Sequence, residues 1–207
     1  KAGLMPLTEA NLSGNASDLM GVSAAASGYA PGSAVSVELL VNGVQTYDAL
    51  LAAFGRATHH IHLEYYIFEP DKTGARIRDA LIEQARRGIR VRLLLDRLGS
   101  KNADEAFLRP LREAGAEIEF FHPYFFKRLW RPEINLRSHR KIVVIDGCIG
   151  FTGGINITDD ENEAIRDDAY VDLHFRISGE IVRWLQLAFV ADWLYAGGPF
   201  AADDRYF

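Results

Sequence analysis

The segment at residues 138–156, SHRKIVVIDGCIGFTGGIN, constrains the fold of this chain more than any other stretch. Two short apolar runs, at 142–145 and 148–151, stand on either side of Asp146 and Gly147. An Asp-Gly pair between two runs rich in β-branched residues is typical of a tight turn between antiparallel strands. The segment therefore predicts a β-hairpin. Cys148 falls inside the predicted second strand, where we expect a small core residue.

The same hairpin brings polar groups together at one of its ends. His139 and Lys141 stand two residues apart at the start of the first strand, so their side chains share one face. Gly153, Gly154 and Asn156 come at the end of the second strand, which returns to lie beside His139. An imidazole, an ammonium, an amide and bare glycine backbone therefore converge in one small volume. This combination suits an anionic, tetrahedral substrate such as a phosphodiester.

Composition limits the classes to which the chain can belong. Its 207 residues are enough for one substantial domain. A hydrophobic fraction of 48% with 25% charged residues is ordinary for a soluble globular protein. The net charge of −5 gives no global attraction to nucleic acid, which argues against a nuclease, although a local basic patch could suffice. A single cysteine excludes an internal disulfide and a multi-cysteine zinc site.

The sequence also suggests how the chain is divided. Residues 1–34 form an Ala/Ser/Gly-rich lead-in, 35–196 form one domain, and 197–207 read as a linker cut short. No window reaches the ~18 consecutive apolar residues that a membrane span requires. The chain begins with lysine and shows no signal-peptide pattern, so we expect an excised domain whose preceding parts, including any anchor, are not seen here.

Strand and helix patterns alternate along the predicted domain. Strands are predicted at 35–41, 59–68, 90–96, 117–121 and 170–177, and helices at 75–87, 105–114 and 179–195. A turn at Asn42-Gly43 is expected to precede another helix that opens at Thr46 or Asp48. The β-α-β-α-β order predicts an α/β fold, a mixed β-sheet flanked by helices on both faces.

Other polar residues of the predicted strands allow more than one interpretation. His60, His62 and Glu64 alternate on one strand face, which invites a metal site, but packing or lining of a substrate site is the preferred interpretation for them and for Tyr66. Asp96 ends a strand at the position where α/β proteins usually form their sites. It lines the site or caps the next turn.

The complete motif resembles that of a known superfamily. His139, Lys141, Asp146, the glycine pair and Asn156 match the HxKxxxxD…GGxN pattern of the phospholipase D superfamily at every position. The surrounding segments EYYIFEPDKTGARIRDAL, VRLLLDRLGS and DLHFRISGEIVRWLQLAFVADW are similar to the N-terminal catalytic half of bacterial cardiolipin synthases. The likeness extends over about residues 35–193.

The resemblance implies that this chain carries half of a catalytic site. Members of the superfamily act through two such motifs, one in each half of the enzyme, that meet at a shared site. Here none of the other five histidines begins an H-x-K sequence. The chain therefore either pairs with itself or is one half of a longer enzyme with two motifs, and the linker-like end favours the second arrangement.

The implied reaction assigns a role to most residues of the motif. A neutral His139 attacks phosphorus as the nucleophile, or acts as the general acid, and its N-terminal placement in the family favours the nucleophile. Lys141 and Asn156 bind the non-bridging oxygens, while Gly153 and Gly154 let the backbone approach closely. Asp146, grouped with the catalytic residues by the motif, is expected to hold backbone N–H groups of its turn.

A separate carboxylate should orient His139 through its far ring nitrogen, as in a catalytic triad. The family places this group in a D-x-H-x-R-I-x-G segment, which makes it Asp172 here, with Asp167 and Asp168 as alternatives. Tyr66 and Arg137 are expected to bind substrate together with the two glycines. The resemblance implies no metal and no cofactor.

The resemblance also implies partners and a location. The expected substrate is an anionic phospholipid such as phosphatidylglycerol, and the expected protein partner is a second half carrying the motif, from the same gene product or a homodimer. We expect a membrane surface and no nucleic acid. The location would be the bacterial inner membrane, peripheral or anchored by segments absent from this chain. The aromatic, basic loop at 122–137 suits a lipid headgroup boundary, or packs on the other half.

Two other functions remain open at the level of sequence. One is a hydrolytic phospholipase D or a nuclease of the same superfamily. The other is a non-catalytic half that binds anionic phosphate headgroups.

Overall fold

The computed structural model describes residues 33–121, 138–201 and 203–207. The described strands are β1 (Ser36–Val41), β2 (His60–Tyr65), β3 (Arg90–Asp96), β4 (Glu117–Phe121), β5 (Ile142–Ile145), β6 (Ile149–Gly153) and β7 (Leu173–Ser178). The described α-helices are α1 (Asn42–Phe54), α2 (Lys72–Arg86), α3 (Glu105–Glu113) and α4 (Val182–Tyr195). The strands form one seven-stranded sheet in the order β1-β7-β6-β5-β2-β3-β4.

The sheet has a parallel part and an antiparallel part. β2, β3 and β4 run parallel, joined through α2 and α3, whereas β5, β6, β7 and β1 are each antiparallel to their neighbours. The predicted hairpin is confirmed as the β5–β6 pair. Its turn places Asp146 and Gly147 at φ 53° and 66°, a region that glycine and aspartate tolerate better than most residues.

Apolar side chains cover both faces of the sheet. On β5, Val143 packs with residues of α1, α2 and α3, while Val144 packs against Val182 of α4 on the opposite face. Leu94 of β3 likewise contacts the α4 side through Trp193. Strands buried on both faces read as continuous apolar runs rather than alternating ones. The predicted α/β architecture, with helices on both faces, is thus confirmed.

Two helices begin earlier than the sequence predicts. α1 begins at Asn42, and not at Thr46 or Asp48, because Asn42 adopts φ 63° and turns the chain directly from β1 into the helix. α2 begins at Lys72 rather than at residue 75. The side chain of Asp71 accepts a hydrogen bond from the backbone N–H of Gly74 at 2.9 Å and caps the helix.

Two further predictions about the later elements differ from the structure. Cys148 is exposed in the turn between β5 and β6, so the prediction of a core residue within a strand was wrong. β7 begins at Leu173 rather than at residue 170, which leaves Tyr170 and Val171 exposed before it. In both cases an apolar run extends beyond the backbone pairing that defines the strand.

The segment at 197–207, predicted as a linker cut short, packs against the domain. Tyr206 is fully buried and its ring contacts those of His60 and His62 beneath the sheet. Trp193 donates a hydrogen bond to the carbonyl of Pro199 at 3.0 Å. The described end of the chain therefore belongs to the folded unit. Most of the predicted lead-in, residues 1–32, lies outside the described residues.

The described helices can also be compared with the thickness of a bilayer. Within residues 33–121, 138–201 and 203–207, none of them combines the length and apolar character that crossing a membrane requires.

Candidate active site

Four strand ends meet at one edge of the sheet and carry residues of the motif. β2 ends, β5 begins, β6 ends and β7 begins at this edge, because β5 is antiparallel to β2 and β6, and β6 is antiparallel to β7. Tyr66 follows β2, Lys141 precedes β5, Gly153 ends β6 and Asp172 precedes β7. The sheet therefore brings together segments that are far apart in sequence.

His139 lies exposed at this edge and is held by a neighbouring aromatic ring. Its imidazole stacks on the ring of Tyr66, with centroids 3.9 Å apart and planes inclined by 20°. The Lys141 ammonium lies 5.5 Å from the centroid of the same Tyr66 ring. Tyr66 thus contacts both basic residues of the motif, and the stacking fixes the plane of the imidazole.

Lys141 is buried, with its ammonium turned back toward the histidine. Nζ donates a hydrogen bond to the carbonyl oxygen of His139 at 3.0 Å. Burial lowers the pKa of Lys141, and the carboxylates of Glu161 and Asp172 oppose that shift. An ammonium has three N–H donors, so the others are available to an anionic oxygen.

The amide of Asn156 is held in one orientation. Oδ1 accepts a hydrogen bond from the backbone N–H of Ile67 at 3.2 Å, and Nδ2 donates to Oε1 of Glu161 at 2.7 Å. The backbone N–H of Asn156 donates to the second Glu161 oxygen at 2.8 Å. Because Nδ2 carries two N–H donors, this arrangement commits one and leaves the other for a ligand.

Glu161 is a buried residue of the site that the sequence interpretation missed. It ends a short 3-10 helix, Asp159–Glu161, which turns its side chain inward toward Asn156. Burial raises the pKa of Glu161; hydrogen bonds from Asn156 and the charge of Lys141 lower it, and the charge of Asp172 raises it. The available signal in the sequence was an acid five residues after Asn156, within the acidic stretch at 158–168.

Asp172 is half-buried and lies over Gly154. A Cβ at Gly154 would overlap both carboxylate oxygens of Asp172, and a Cβ at Gly153 would lie 2.8 Å from Nδ1 of His174. The glycine pair therefore makes room for protein groups of β7, whereas the sequence predicts room for substrate. Among the described residues, no hydrogen bond joins Asp172 to the His139 ring; its Oδ1 accepts from the Leu173 N–H at 2.7 Å.

His174 lies buried beside Gly153, below the site. Burial lowers the pKa of this imidazole to about 4, so the ring is neutral at pH 7. Neither ring nitrogen has a hydrogen-bond partner among the described residues. The family segment D-x-H-x-R thus contributes a carboxylate at the site and a neutral imidazole beneath it.

Asp146 lies at the opposite end of β5 from Lys141, roughly 15 Å away by the rise of the strand. Its carboxylate accepts hydrogen bonds from the backbone N–H groups of Thr58, His59 and His60 at 2.8, 2.8 and 2.9 Å, and from the Thr58 hydroxyl at 2.8 Å. Burial raises the pKa of Asp146, but these hydrogen bonds outweigh it and the net pKa is lowered. Asp146 therefore lies outside the group of residues around His139.

The remaining candidates lie elsewhere. Asp167 and Asp168 are exposed, and Asp168 pairs with Arg166 at 2.8 Å. Asp96 accepts hydrogen bonds from two backbone N–H groups of the turn after β3, both at 2.9 Å, which is the capping alternative. Arg137 and the whole aromatic, basic loop at 122–137 lie outside the described residues.

The side chains of His60, His62 and Glu64, which alternate along β2, are buried under α4. His62 lies within hydrogen-bond distance of Gln186 and stacks on Phe189, while Glu64 accepts a hydrogen bond from Ser138. Across the residues that the structure describes, no three His, Cys, Asp or Glu side chains are grouped so as to hold a metal ion. The contacts of these side chains are those of packing and of support for the segment that carries His139.

The fold is that of a phospholipase D-like domain. It is similar to a solved phospholipase D family member, Nuc from Salmonella typhimurium, with a TM-score of 0.59 and 17% sequence identity. The likeness covers 77% of this chain and 95% of that chain. At this identity the comparison concerns the fold alone.

The sequence itself places the chain more narrowly. The family described as "Cardiolipin synthase, PLD-like domain" matches residues 50–193, and the chain belongs to this family. It is 45% identical over 163 residues to cardiolipin synthase 1 of Bacillus cereus, covering 78% of this chain and 32% of the relative. It is 44% identical over 177 residues to the cardiolipin synthase of a Geobacillus species, covering 84% and 34%. The chain thus spans about a third of the length of these relatives, and the resemblance read from its motif is confirmed.

Proposed function

We propose that this chain is one catalytic half of a phosphatidyltransferase of the cardiolipin synthase type. The observation that carries the proposal is the grouping of His139, Lys141 and Asn156 at one edge of the sheet. In a chain of this family, that edge offers a nucleophile and donors for phosphate oxygens. The substrate would be an anionic phospholipid with a free headgroup hydroxyl, such as phosphatidylglycerol.

The reaction divides into two displacements at phosphorus. A neutral ring nitrogen of His139 attacks the phosphodiester, a P–N bond forms, and the P–O bond to the departing glycerol breaks. The glycerol oxygen takes a proton from a general acid, which we assign to the histidine of a second half. The hydroxyl of a second lipid then attacks phosphorus, gives its proton to the same group, and releases His139 with cardiolipin as the product.

The other residues act on charge and orientation. Lys141 and the uncommitted N–H of Asn156 donate to the non-bridging oxygens, where negative charge grows toward the transition state. Stacking on Tyr66 fixes the imidazole plane, which limits the directions from which phosphorus can be attacked. We assign to Asp172 the carboxylate that accepts a hydrogen bond from His139 once the second half is in place.

The second half is the partner that the proposal requires. It would come from the same gene product or from a second copy, and it would cover the exposed side of His139. We further propose that residues 35–196 are the catalytic unit, although the packing of 197–207 extends it. The enzyme would work at the surface of the bacterial inner membrane, where Arg137 and its loop would meet the headgroups.

Lipid analysis of cells carrying the complete gene tests this function. Wild-type protein should produce cardiolipin, and His139→Ala should lower its production at least about 1000-fold, because the nucleophile is gone. Cys148→Ala is the matched control, because Cys148 is exposed in the turn at the far end of the hairpin. Thin-layer chromatography separates the products. Unchanged cardiolipin in His139→Ala would contradict the proposal, and phosphatidic acid in place of cardiolipin would indicate the hydrolytic alternative.

A further inference from the structure

The two residues that flank His139 are each held by a carboxylate. Ser138 donates a hydrogen bond from Oγ to Glu64 of β2, and the guanidinium of Arg140 pairs with Asp192 of α4. Residues 138–140 have no regular secondary structure, so side-chain contacts set the position of their backbone. The histidine therefore stands between two anchored neighbours.

Both carboxylates are largely removed from water. Glu64 is 2% exposed, and the Asp192 side chain is 14% exposed. Burial raises the pKa of Glu64 to about 8; the Ser138 hydrogen bond lowers it, and the charge of Asp192 raises it. The second oxygen of Glu64, Oε2, is buried without a hydrogen-bond partner among the described residues, which disfavours the charged form, so Glu64 keeps its proton at neutral pH.

The other neighbours of Glu64 also affect its protonation. The neighbouring strands place the apolar residues Leu94 and Ile142 opposite Glu64. Besides Asp192, the charged group near Glu64 among the described residues is Arg140, whose guanidinium lowers the pKa of Glu64. Loss of the Glu64 proton would place a second negative charge near Asp192.

We propose that Glu64 and Asp192 position His139 through Ser138 and Arg140, and that Glu64 does so as the neutral acid. The inference rests on the proposed function for its activity readout, because it concerns the histidine of the same site. Both acids are positioning residues, since they contact the neighbours of His139 and not the substrate. Above the pH at which Glu64 loses its proton, repulsion from Asp192 would loosen the 138–140 segment and misplace the nucleophile.

Three variants of the complete protein test the pair through phosphatidyl transfer. Glu64→Gln keeps an oxygen for Ser138 and mimics the protonated acid, so it should keep kcat near the wild-type value at pH 7. Glu64→Ala removes the anchor and should lower kcat about 100-fold at similar KM, because small displacements of a reacting group are costly. Asp192→Asn should lower kcat less, because it keeps a side-chain oxygen for Arg140. Glu83→Gln, at an exposed position of α2, is the control and should leave kcat unchanged.

The pH profile separates positioning from plain structural support. Wild-type kcat should fall as pH rises through about 8, where Glu64 loses its proton. Glu64→Gln cannot lose that proton, so its kcat should decline less over the same range. Identical alkaline profiles for the two proteins, or wild-type kcat in Glu64→Ala, would overturn the inference.

Hydrogen–deuterium exchange keeps the two proposals distinguishable. Exchange at residues 138–140 should rise in Glu64→Ala and stay near wild type in Glu64→Gln, whatever reaction the protein catalyses. A wild-type protein without transferase activity that still showed this pattern would contradict the proposed function alone. Unchanged exchange in Glu64→Ala would overturn the positioning role alone.

Discussion

The two ends of the β5–β6 hairpin carry residues of one motif but differ in how completely their polar groups are paired. At the turn, both oxygens of Asp146 accept hydrogen bonds from the loop that precedes β2 and from the first residue of β2. At the other end, Lys141 makes a single hydrogen bond within the part of the chain that the structure describes, and His139 is exposed. Among those residues, the polar groups at the turn are paired within the protein, whereas Lys141 and Asn156 at the other end keep N–H donors without a partner.

This difference separates the residues that hold the fold from those available for chemistry. Buried polar groups normally find partners within the protein, so donors left over at an edge indicate a place for a ligand. The HxKxxxxD pattern contains both structural residues and residues available for chemistry. The spacing alone does not show which acid or base has which role.

The largest expected effect comes from removing a spare donor. Lys141→Met keeps the length and most of the volume of the side chain but removes its charge, and should lower kcat about 100- to 1000-fold. The melting temperature should change little, because one hydrogen bond to a backbone carbonyl is lost. Steady-state kinetics and calorimetry of the complete protein measure both quantities, with exposed Lys101→Met as the control. A kcat within threefold of wild type would contradict the proposal that the His139 end of the hairpin carries the catalytic groups and the turn end the structural ones.

The opposite outcome is expected at the turn. Asp146→Asn preserves the positive φ, which asparagine tolerates, but places an NH₂ group where an oxygen accepted backbone N–H groups. The variant should lose about 2 kcal/mol of unfolding free energy and keep the kcat of the wild type. Denaturant unfolding together with kinetics checks this. A large fall in kcat without loss of stability would place Asp146 with the catalytic residues.

The pH dependence of this stability difference has a definite sign. The folded-state pKa of Asp146 is lowered, so its ionised form contributes stability above the unfolded-state value of ~3.9. That contribution disappears as pH falls through the folded-state pKa. The gap between wild type and Asp146→Asn should therefore be full near pH 7 and shrink below about pH 4.

Local patterns in the sequence were enough to predict the elements and the architecture. The apolar runs and the Asp-Gly pair determine the hairpin, and the alternation of strand and helix patterns implies the mixed α/β sheet, because both depend on neighbouring residues. The start of α1 could not be read in this way. It depends on Asn42 adopting φ 63°, which several residue types permit and the sequence does not specify.

Local sequence patterns predict even less of the candidate site. The motif predicts that His139, Lys141 and Asn156 lie together, because an antiparallel return must bring them to one edge. The stacking of Tyr66 on His139 depends on a contact between segments far apart in the chain. The inward turn of Glu161 depends on a short 3-10 helix, which no apolar pattern in the sequence marks. The catalytic roles themselves stay predictions, including the contact of Asp172 with His139.

The smallest effect is expected at Glu161, which accepts hydrogen bonds from Asn156. A variant at this position tests the difference between the two ends of the hairpin, because the remaining side-chain N–H of Asn156 is the donor proposed for the substrate. Glu161→Gln turns an NH₂ group toward one of the two Asn156 donors and so loses one hydrogen bond. Stability should fall by about 1 kcal/mol and kcat roughly 10-fold, because Asn156 is then free to rotate its spare N–H away. Glu163→Gln is the exposed control two residues away. If kcat fell no more than the loss of stability explains, Glu161 would have a structural role like that of Asp146. The paired groups at the two ends of the hairpin would then not differ in their contribution to catalysis.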